Sequence, residues 1–132
     1  MKKKYFRLEE AQKLLPQINA KLNRLIIISK AIKLVDGIEI KYEDDFQYVA
    51  NELNSRKNKH KLYYEFYLLL EELLNYGAIV KDLNFGLVDF YSTYERNEIF
   101  LCWQMNEPEI KYWHEADSGY DNRKPIELLK NA

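Results

Sequence analysis

"LEELLNYGAIVKDLNFGLVDFYSTY", residues 70–94, contains the change of pattern on which the fold turns. Up to Gly77 the apolar residues Leu62, Phe66, Leu69, Leu70, Leu73 and Leu74 recur at threes and fours, the spacing of a helix that buries one broad face. Beyond Gly77 the period falls to two. "AIV" reads as a short strand, Asn84, Phe85 and Gly86 as a turn, and "LVDFYSTY" as a strand whose side chains alternate across a pleated surface.

Towards the N-terminus, Leu14, Leu15, Ile18, Leu22, Leu25, Ile26, Ile28 and Ile32 keep the helical period from Leu8 to Val35. Pro16 lies in the early turns, where its ring denies a backbone hydrogen bond, so a kink near residues 12–15 is expected. Asp36 and Gly37 supply a stop. "IEIKY", residues 38–42, alternates briefly before Asp44 and Asp45, which are good N-cap types for a second helix through Phe46, Val49, Ala50 and Leu53. Asn54, Ser55 and Asn58 are weak helix formers, so "NSRKNKHK" either carries that helix on or hinges it. Two long amphipathic helices with a short connection pack antiparallel.

Towards the C-terminus, "EIFLCWQM" follows residues 87–94 after Glu95, Arg96 and Asn97; read as a three-residue turn, this hairpin sets Asp89 opposite Trp103. "EIKYWHE", residues 109–115, is a further strand, residues 116–125 are turn-rich, and the tail from Ile126 has a last helical turn. The expected fold is α+β: one domain, with a long antiparallel helical hairpin (residues 1–77) on a small antiparallel sheet of three to four strands and a C-terminal motif (residues 78–126).

A chain of 132 residues with 47% hydrophobic content can bury a core and is not a disordered segment. Its single cysteine, Cys102, excludes a disulfide framework and points to a reducing, cytoplasmic setting. "MKKKYFRLEEAQ" has no apolar run behind its lysines and "LIIISKAI" is broken by Ser29 and Lys30, so neither a signal peptide nor a membrane span is expected. With only 4 glycines and a charged fraction rich in lysine and glutamate, the composition resembles that of heat-adapted proteins.

The net charge of −1 divides unevenly: residues 1–35 carry +7, residues 36–61 carry −1 and residues 62–132 carry −7. The basic third is expected to face the acidic third, within one chain or across a dimer. Helices this greasy on so small a sheet leave apolar surface uncovered, and a homodimer through the helices would cover it. Phe100, Trp103, Tyr112, Trp113 and Tyr120 could stack bases, but they lie in the acidic third, which repels phosphate and argues against nucleic acid.

The candidate chemistry centres on His114, with Glu109, Glu115, Asp117 and Asp89 as carboxylates and Arg123 as an anion-binding cation. His114 and Asp117 are the candidate ligands if a divalent metal binds; otherwise no cofactor is implied. Three objections apply. His60 is the only other histidine, so no H-E-x-x-H pair exists. Consecutive strand residues face opposite ways, so His114 and Glu115 cannot hold one ion. With Asp89 opposite Trp103, His114 lies roughly 10 Å or more away unless the sheet curls. Asp117, Gly119 and Asp121 lack the closing acid of a calcium loop. Cys102 shares no defensible alternation with a histidine, and no G-x-S-x-G, P-loop or G-x-G-x-x-G is present.

"FRLEEAQKLLP" (6–16), "LEELLNYGAIVKDLNFGLVDF" (70–90) and "LCWQMNEPEIKYWHEADSGYDNRKP" (101–125) together resemble domain-of-unknown-function family 2203, a group of small bacterial and archaeal proteins. Arg7 departs from that pattern, standing where a threonine or serine cap is expected. The resemblance implies no activity, but it implies that Asp82, Asp89, Glu107, Glu109, His114, Glu115 and Arg123 either fix the fold or form a site. Two readings follow. One is a homodimeric interaction or regulatory module without catalysis, its tail motif a latch in which Arg123 pairs with Glu115 or Asp117. The other is a metal-assisted hydrolase or small-ligand-binding protein organised around His114.

Overall fold

The computed structural model describes residues 2–37 and 44–130, the side chain of Lys130 excepted; the strand-like reading of residues 38–42 falls outside these residues. Helix α1 spans Leu8–Asp36 and buries Ala11, Leu15, Ile18, Leu22, Leu25, Ile28 and Ile32, the stripe that the spacing predicts. Arg7 offers no oxygen to cap it. The Glu10 carboxylate supplies the local closure instead, accepting from the Arg7 backbone N–H at 2.9 Å.

Helix α2 spans Asp45–Tyr76 without the hinge weighed at residues 54–61. The Asp44 side chain caps it, accepting from the Phe46 N–H at 2.9 Å. Lys21 to Glu72 at 2.7 Å, Arg24 to Glu65 at 2.8 Å, and Lys59 to Asp36 tie the two helices together in antiparallel order. Such exposed pairs add little stability individually; they set register while apolar burial supplies the energy. The helix ends on Gly77, whose φ of 98° is left-handed, and a Cβ there would come within 2.6 Å of the Phe6 ring.

The chain then meanders through β1 (Ala78–Asp82), β2 (Leu87–Tyr94), β3 (Asn97–Gln104), β4 (Tyr112–Glu115) and β5 (Lys124–Pro125), all antiparallel and in sequence order. The sheet thus has five strands rather than three or four. The additional one is a two-residue pairing with Tyr112 and Trp113, reinforced where the Trp113 indole N–H donates to the Pro125 carbonyl at 3.1 Å. A 3₁₀ turn at Tyr120–Asn122 precedes it, and the expected last helical turn is α3, Glu127–Lys130.

The β2–β3 connection corrects the register. Tyr94 pairs with Asn97, so the turn is two residues, Glu95 and Arg96, with φ of 51° and 68°. Positive φ at both central residues marks the turn whose twist matches that of the flanking strands. Every pairing moves by one residue, and Asp89 faces Cys102 rather than Trp103.

Pleating then sorts the side chains. Val88, Phe90, Ile99, Leu101, Trp103 and Trp113 face the helices and share one core with Ala11, Leu15, Ile18, Leu22, Leu25 and Leu73. Asp89, Tyr91, Phe100, Cys102 and His114 occupy the outer face. Beyond β1 the N-terminal segment continues along β2, the Phe6 N–H donating to Tyr91 and Ser92 donating to the Phe6 carbonyl at 2.6 Å. Among the described residues no helix is long and apolar enough to cross a membrane.

Two substitutions test these local constraints. Gly77→Ala is expected to cost more than about 1 kcal/mol, because it adds left-handed strain to a clash with Phe6; an unchanged urea midpoint would contradict this. Replacing Glu95 and Arg96 with Asn and Gly is expected to raise stability by roughly 1 kcal/mol, read as a higher melting temperature, since both new residues tolerate positive φ.

Candidate functional site

The outer face of a small sheet would ordinarily be wet, yet Asp89, Cys102 and His114 are only 3%, 2% and 3% exposed. Asp89 comes from β2, Cys102 from β3 and His114 from β4, three adjacent strands. Register makes Asp89 and Cys102 direct neighbours and sets His114 beside Phe100, one pleat along. The His114 Nε2 nonetheless approaches Asp89 Oδ2 to 3.1 Å, across the intervening strand. The separation of about 10 Å or more that a flat sheet implies is therefore wrong. Ladder geometry alone fixes where chains run, and side chains leaning towards each other over a twisted sheet close the rest.

His114 is satisfied at both ring nitrogens. Nδ1 lies 2.8 Å from the Glu115 carbonyl, which leaves Nε2 aimed at Asp89. Both neighbours are acceptors, so the doubly protonated ring can donate twice and the neutral ring only once. Burial pushes the His114 pKa down, but the Asp89 hydrogen bond and the Glu115 carbonyl outweigh it, and the net shift is upward. The Arg123 guanidinium approaches the Cys102 sulfur but does not ionise it. Burial and the adjacent Asp89 carboxylate push the thiol up to about 12, outweighing the pull of Arg123.

A cleft of about 350 Å³ opens beside the three groups, lined also by Lys81, Asp82, Phe100, Ser118, Gly119 and Tyr120. The tail motif forms much of its wall. Arg123 lies between the rings of Tyr112 and Tyr120, 4.1 Å and 4.2 Å from their centroids, and donates to Glu107 Oε1 at 3.0 Å. Glu107 also accepts from the Gln104 N–H at 2.7 Å, and its carbonyl accepts from the Trp103 indole N–H at 2.9 Å. One glutamate thus ties the end of β3, the loop before β4 and the segment after it.

The expected residues divide accordingly. Asp89 and His114 meet. Arg123 pairs with Glu107, not with Glu115 or Asp117 as the latch reading has it. Glu115 turns away from His114, as alternation requires, and its carboxylate pairs with Lys124. Glu109 and Asp117 are exposed, and neither joins the grouping of potential metal ligands that the described residues form, so the His114 and Asp117 pairing is replaced by Asp89, Cys102 and His114. Reading the β2–β3 connection as a three-residue turn displaces Asp89 by one position and hides its pairing with Cys102, while Cys102 and His114 share a face through the separate register of β3 on β4. A two-residue turn puts Asp89 and Cys102 on one face, and that count is the signal that would have found the site. Asp82 lines the cleft while accepting from the Phe85 N–H at 3.0 Å within its own turn.

A family model described as an uncharacterized conserved protein (DUF2203) matches residues 4–126, and the chain belongs to that family. No curated protein and no solved structure matches it.

In metal-free protein, the raised pKa gives stability a defined pH dependence. His114 faces Asp89, Cys102, Lys81 and the Glu115 carbonyl. The folded state holds the His114 proton more tightly than the unfolded chain, whose value is near 6.5. The stabilisation is therefore fully present below about pH 6.5 and is lost as pH rises through the folded value. Urea unfolding of the chelator-treated protein is expected to show that decline, and His114→Gln to remove it. Cys102 is expected to resist thiol alkylation at neutral pH until the protein is unfolded; fast labelling of the native chain would contradict its burial.

Proposed function

We propose that this member of the DUF2203 family is a homodimeric interaction module, its helices forming the dimer interface and its tail motif latching the sheet. The observation carrying the reading is the apolar seam on α2. Phe46, Val49, Leu53, Tyr64 and Tyr67 are 81%, 54%, 58%, 71% and 61% exposed, at spacings of three, four, eleven and three that keep them on one helical face. In α2 the buried residue is Leu73 alone among those described. Ile27 and Leu34 on α1, seven residues apart, are exposed too.

Area supports a second copy as the occupant. The chain exposes 9335 Å², whereas a compact monomer of its mass exposes about 7,300 Å². The excess, roughly 2,000 Å², exceeds the ~800 Å² that each partner contributes to a standard interface. Antiparallel pairing of two α2 helices about a twofold near His60 would set Leu53 against Leu68 and Phe46 near Leu74. Glu65 stays with Arg24 and Arg56 with Glu52 of the same chain, so the apolar side chains carry this pairing.

The latch supports a structural role for the tail. Arg123, Glu107, Trp103 and Trp113 all spend their polar groups on one another or on nearby backbone. The lone thiol suits a reducing, cytoplasmic setting, and the acidic sheet disfavours a nucleic-acid partner. A second reading, a small-ligand-binding protein, is favoured by the cleft beside Asp89, Cys102 and His114.

Light scattering coupled to size exclusion tests the dimer directly. The protein is expected at twice 15.9 kDa, and Leu53→Glu with Tyr64→Glu at half that mass with helicity retained. A wild-type monomer at micromolar concentration would overturn the reading.

A further inference from the structure

The three-residue grouping on the outer face suits a metal better than any other ligand that fits so small a set of donors. We propose that Asp89, Cys102 and His114 form a binding site for a thiophilic divalent transition metal, of which Zn²⁺ is the type. The inference is independent of the dimer and gives chemical content to the cleft.

Donor geometry is the first argument. One carboxylate oxygen, one sulfur and one imidazole nitrogen lie within 4.8 Å of one another. Tetrahedral zinc with bonds of about 2.0–2.3 Å sets its ligand atoms roughly 3.3–3.7 Å apart. The Asp89 to His114 separation of 3.1 Å is already close to such an edge, and movements of about an ångström or less at the side-chain tips suffice for the others. All three donors sit on paired strands, which hold their backbones in place while the tips adjust.

The surroundings of the histidine are the second argument. Nδ1 donates to the Glu115 carbonyl at 2.8 Å, and the same carbonyl accepts from the Ser118 hydroxyl at 3.2 Å. That bond fixes the neutral ring in the tautomer whose Nε2 lone pair points at Asp89 and Cys102. A backbone carbonyl behind an imidazole ligand is the usual means of orienting it on zinc.

Donor chemistry and charge select the ion. A thiolate and an imidazole suit Zn²⁺ or Co²⁺, whereas Mg²⁺ and Ca²⁺ take oxygen donors. On binding, the thiol proton leaves to solvent, as does the Nε2 proton when the ring starts as the cation; three bonds to metal form, from the Asp89 oxygen, the Cys102 sulfur and the His114 Nε2, in place of three waters of the hydrated ion, and no electron changes hands. The Asp89 carboxylate and the Cys102 thiolate then neutralise the dication, while Arg123 remains balanced by Glu107. Three protein ligands leave a fourth position for water or a ligand, and the cleft that Asp89, Cys102 and His114 line is lined also by Lys81, Ser118 and Tyr120.

The test uses the whole chain, stripped with chelator and titrated with ZnCl₂ or CoCl₂. One equivalent per chain is expected, whatever the oligomeric state. Cobalt is expected to give a thiolate-to-metal charge-transfer band in the near ultraviolet, with the intense visible absorption of a four-coordinate ion. Cys102→Ala is expected to abolish the charge-transfer band, and Asp89→Asn and His114→Gln to weaken zinc binding at least about 100-fold. Asp117→Asn, an exposed carboxylate outside the grouping, is expected to bind as wild type. Circular dichroism checks each fold, and Asp89→Asn, which keeps the side-chain shape, serves if Cys102→Ala does not fold. Absence of saturable binding, or a cobalt spectrum and zinc affinity unaltered by these substitutions, would overturn the site.

Discussion

The contact between Asp89 and His114 is the constraint around which the sheet half of the molecule is arranged. A carboxylate and an imidazole on the outer face of a small meander would gain little from meeting in water, because exposed ion pairs add at most about 1 kcal/mol. Here they meet at 3.1 Å in a buried setting, where a lost partner would leave an uncompensated charge. Burial on that face requires a cover, and the cover is the segment from Ala116 to Tyr120 with Arg123 behind it. The Glu107 and Arg123 pair, clamped by two tyrosine rings and two backbone contacts, holds that cover down. The pair, the cover and the clamp are thus one arrangement, and removing Glu107 or Arg123 should be felt at His114, which neither touches.

The helical half obeys a different logic. Helix α1 joins the core and buries seven residues, whereas α2 contributes Leu73 to the same core and keeps much of its remaining apolar character in contact with solvent. Buried area therefore accounts for α1 but not for the greasiness of α2, whose Phe46, Tyr64 and Tyr67 stay exposed and would be covered in the proposed dimer. The fold thus offers two separate places for interaction, a helix seam of shape and area and a sheet cleft of donor chemistry.

Much of this was legible in the residues. The period change at Gly77, the Asp44 cap and the strand at residues 87–94 all follow from spacing and side-chain chemistry, and the structure bears them out. The register of β2 against β3 was not legible, for a physical reason. Two-residue turns with positive φ are signalled by Asn-Gly or Asp-Gly, and this chain makes one from Glu95 and Arg96, which carry the strain of a Cβ there. A single extra turn residue moved Asp89 one place along and hid its pairing with Cys102. The family resemblance names Glu107, but its partners were hidden differently: they lie 3 and 16 residues away, and Glu107 and Arg123 stand in irregular chain where no periodicity exists to read. Glu109 and Asp117 looked equivalent to Asp89 by composition, and only burial distinguishes them.

The site depends on the orientation of one ring, and nitrogen-detected NMR of the His114 side chain reads it directly. Before metal, both nitrogens are expected to carry protons at slightly acidic pH. With one equivalent of Zn²⁺, Nδ1 should remain protonated while Nε2 loses its proton and shifts to the position of a metal-bound nitrogen. An Nδ1 without a proton in either state, or a spectrum indifferent to zinc, would contradict the arrangement described for Asp89, Cys102 and His114.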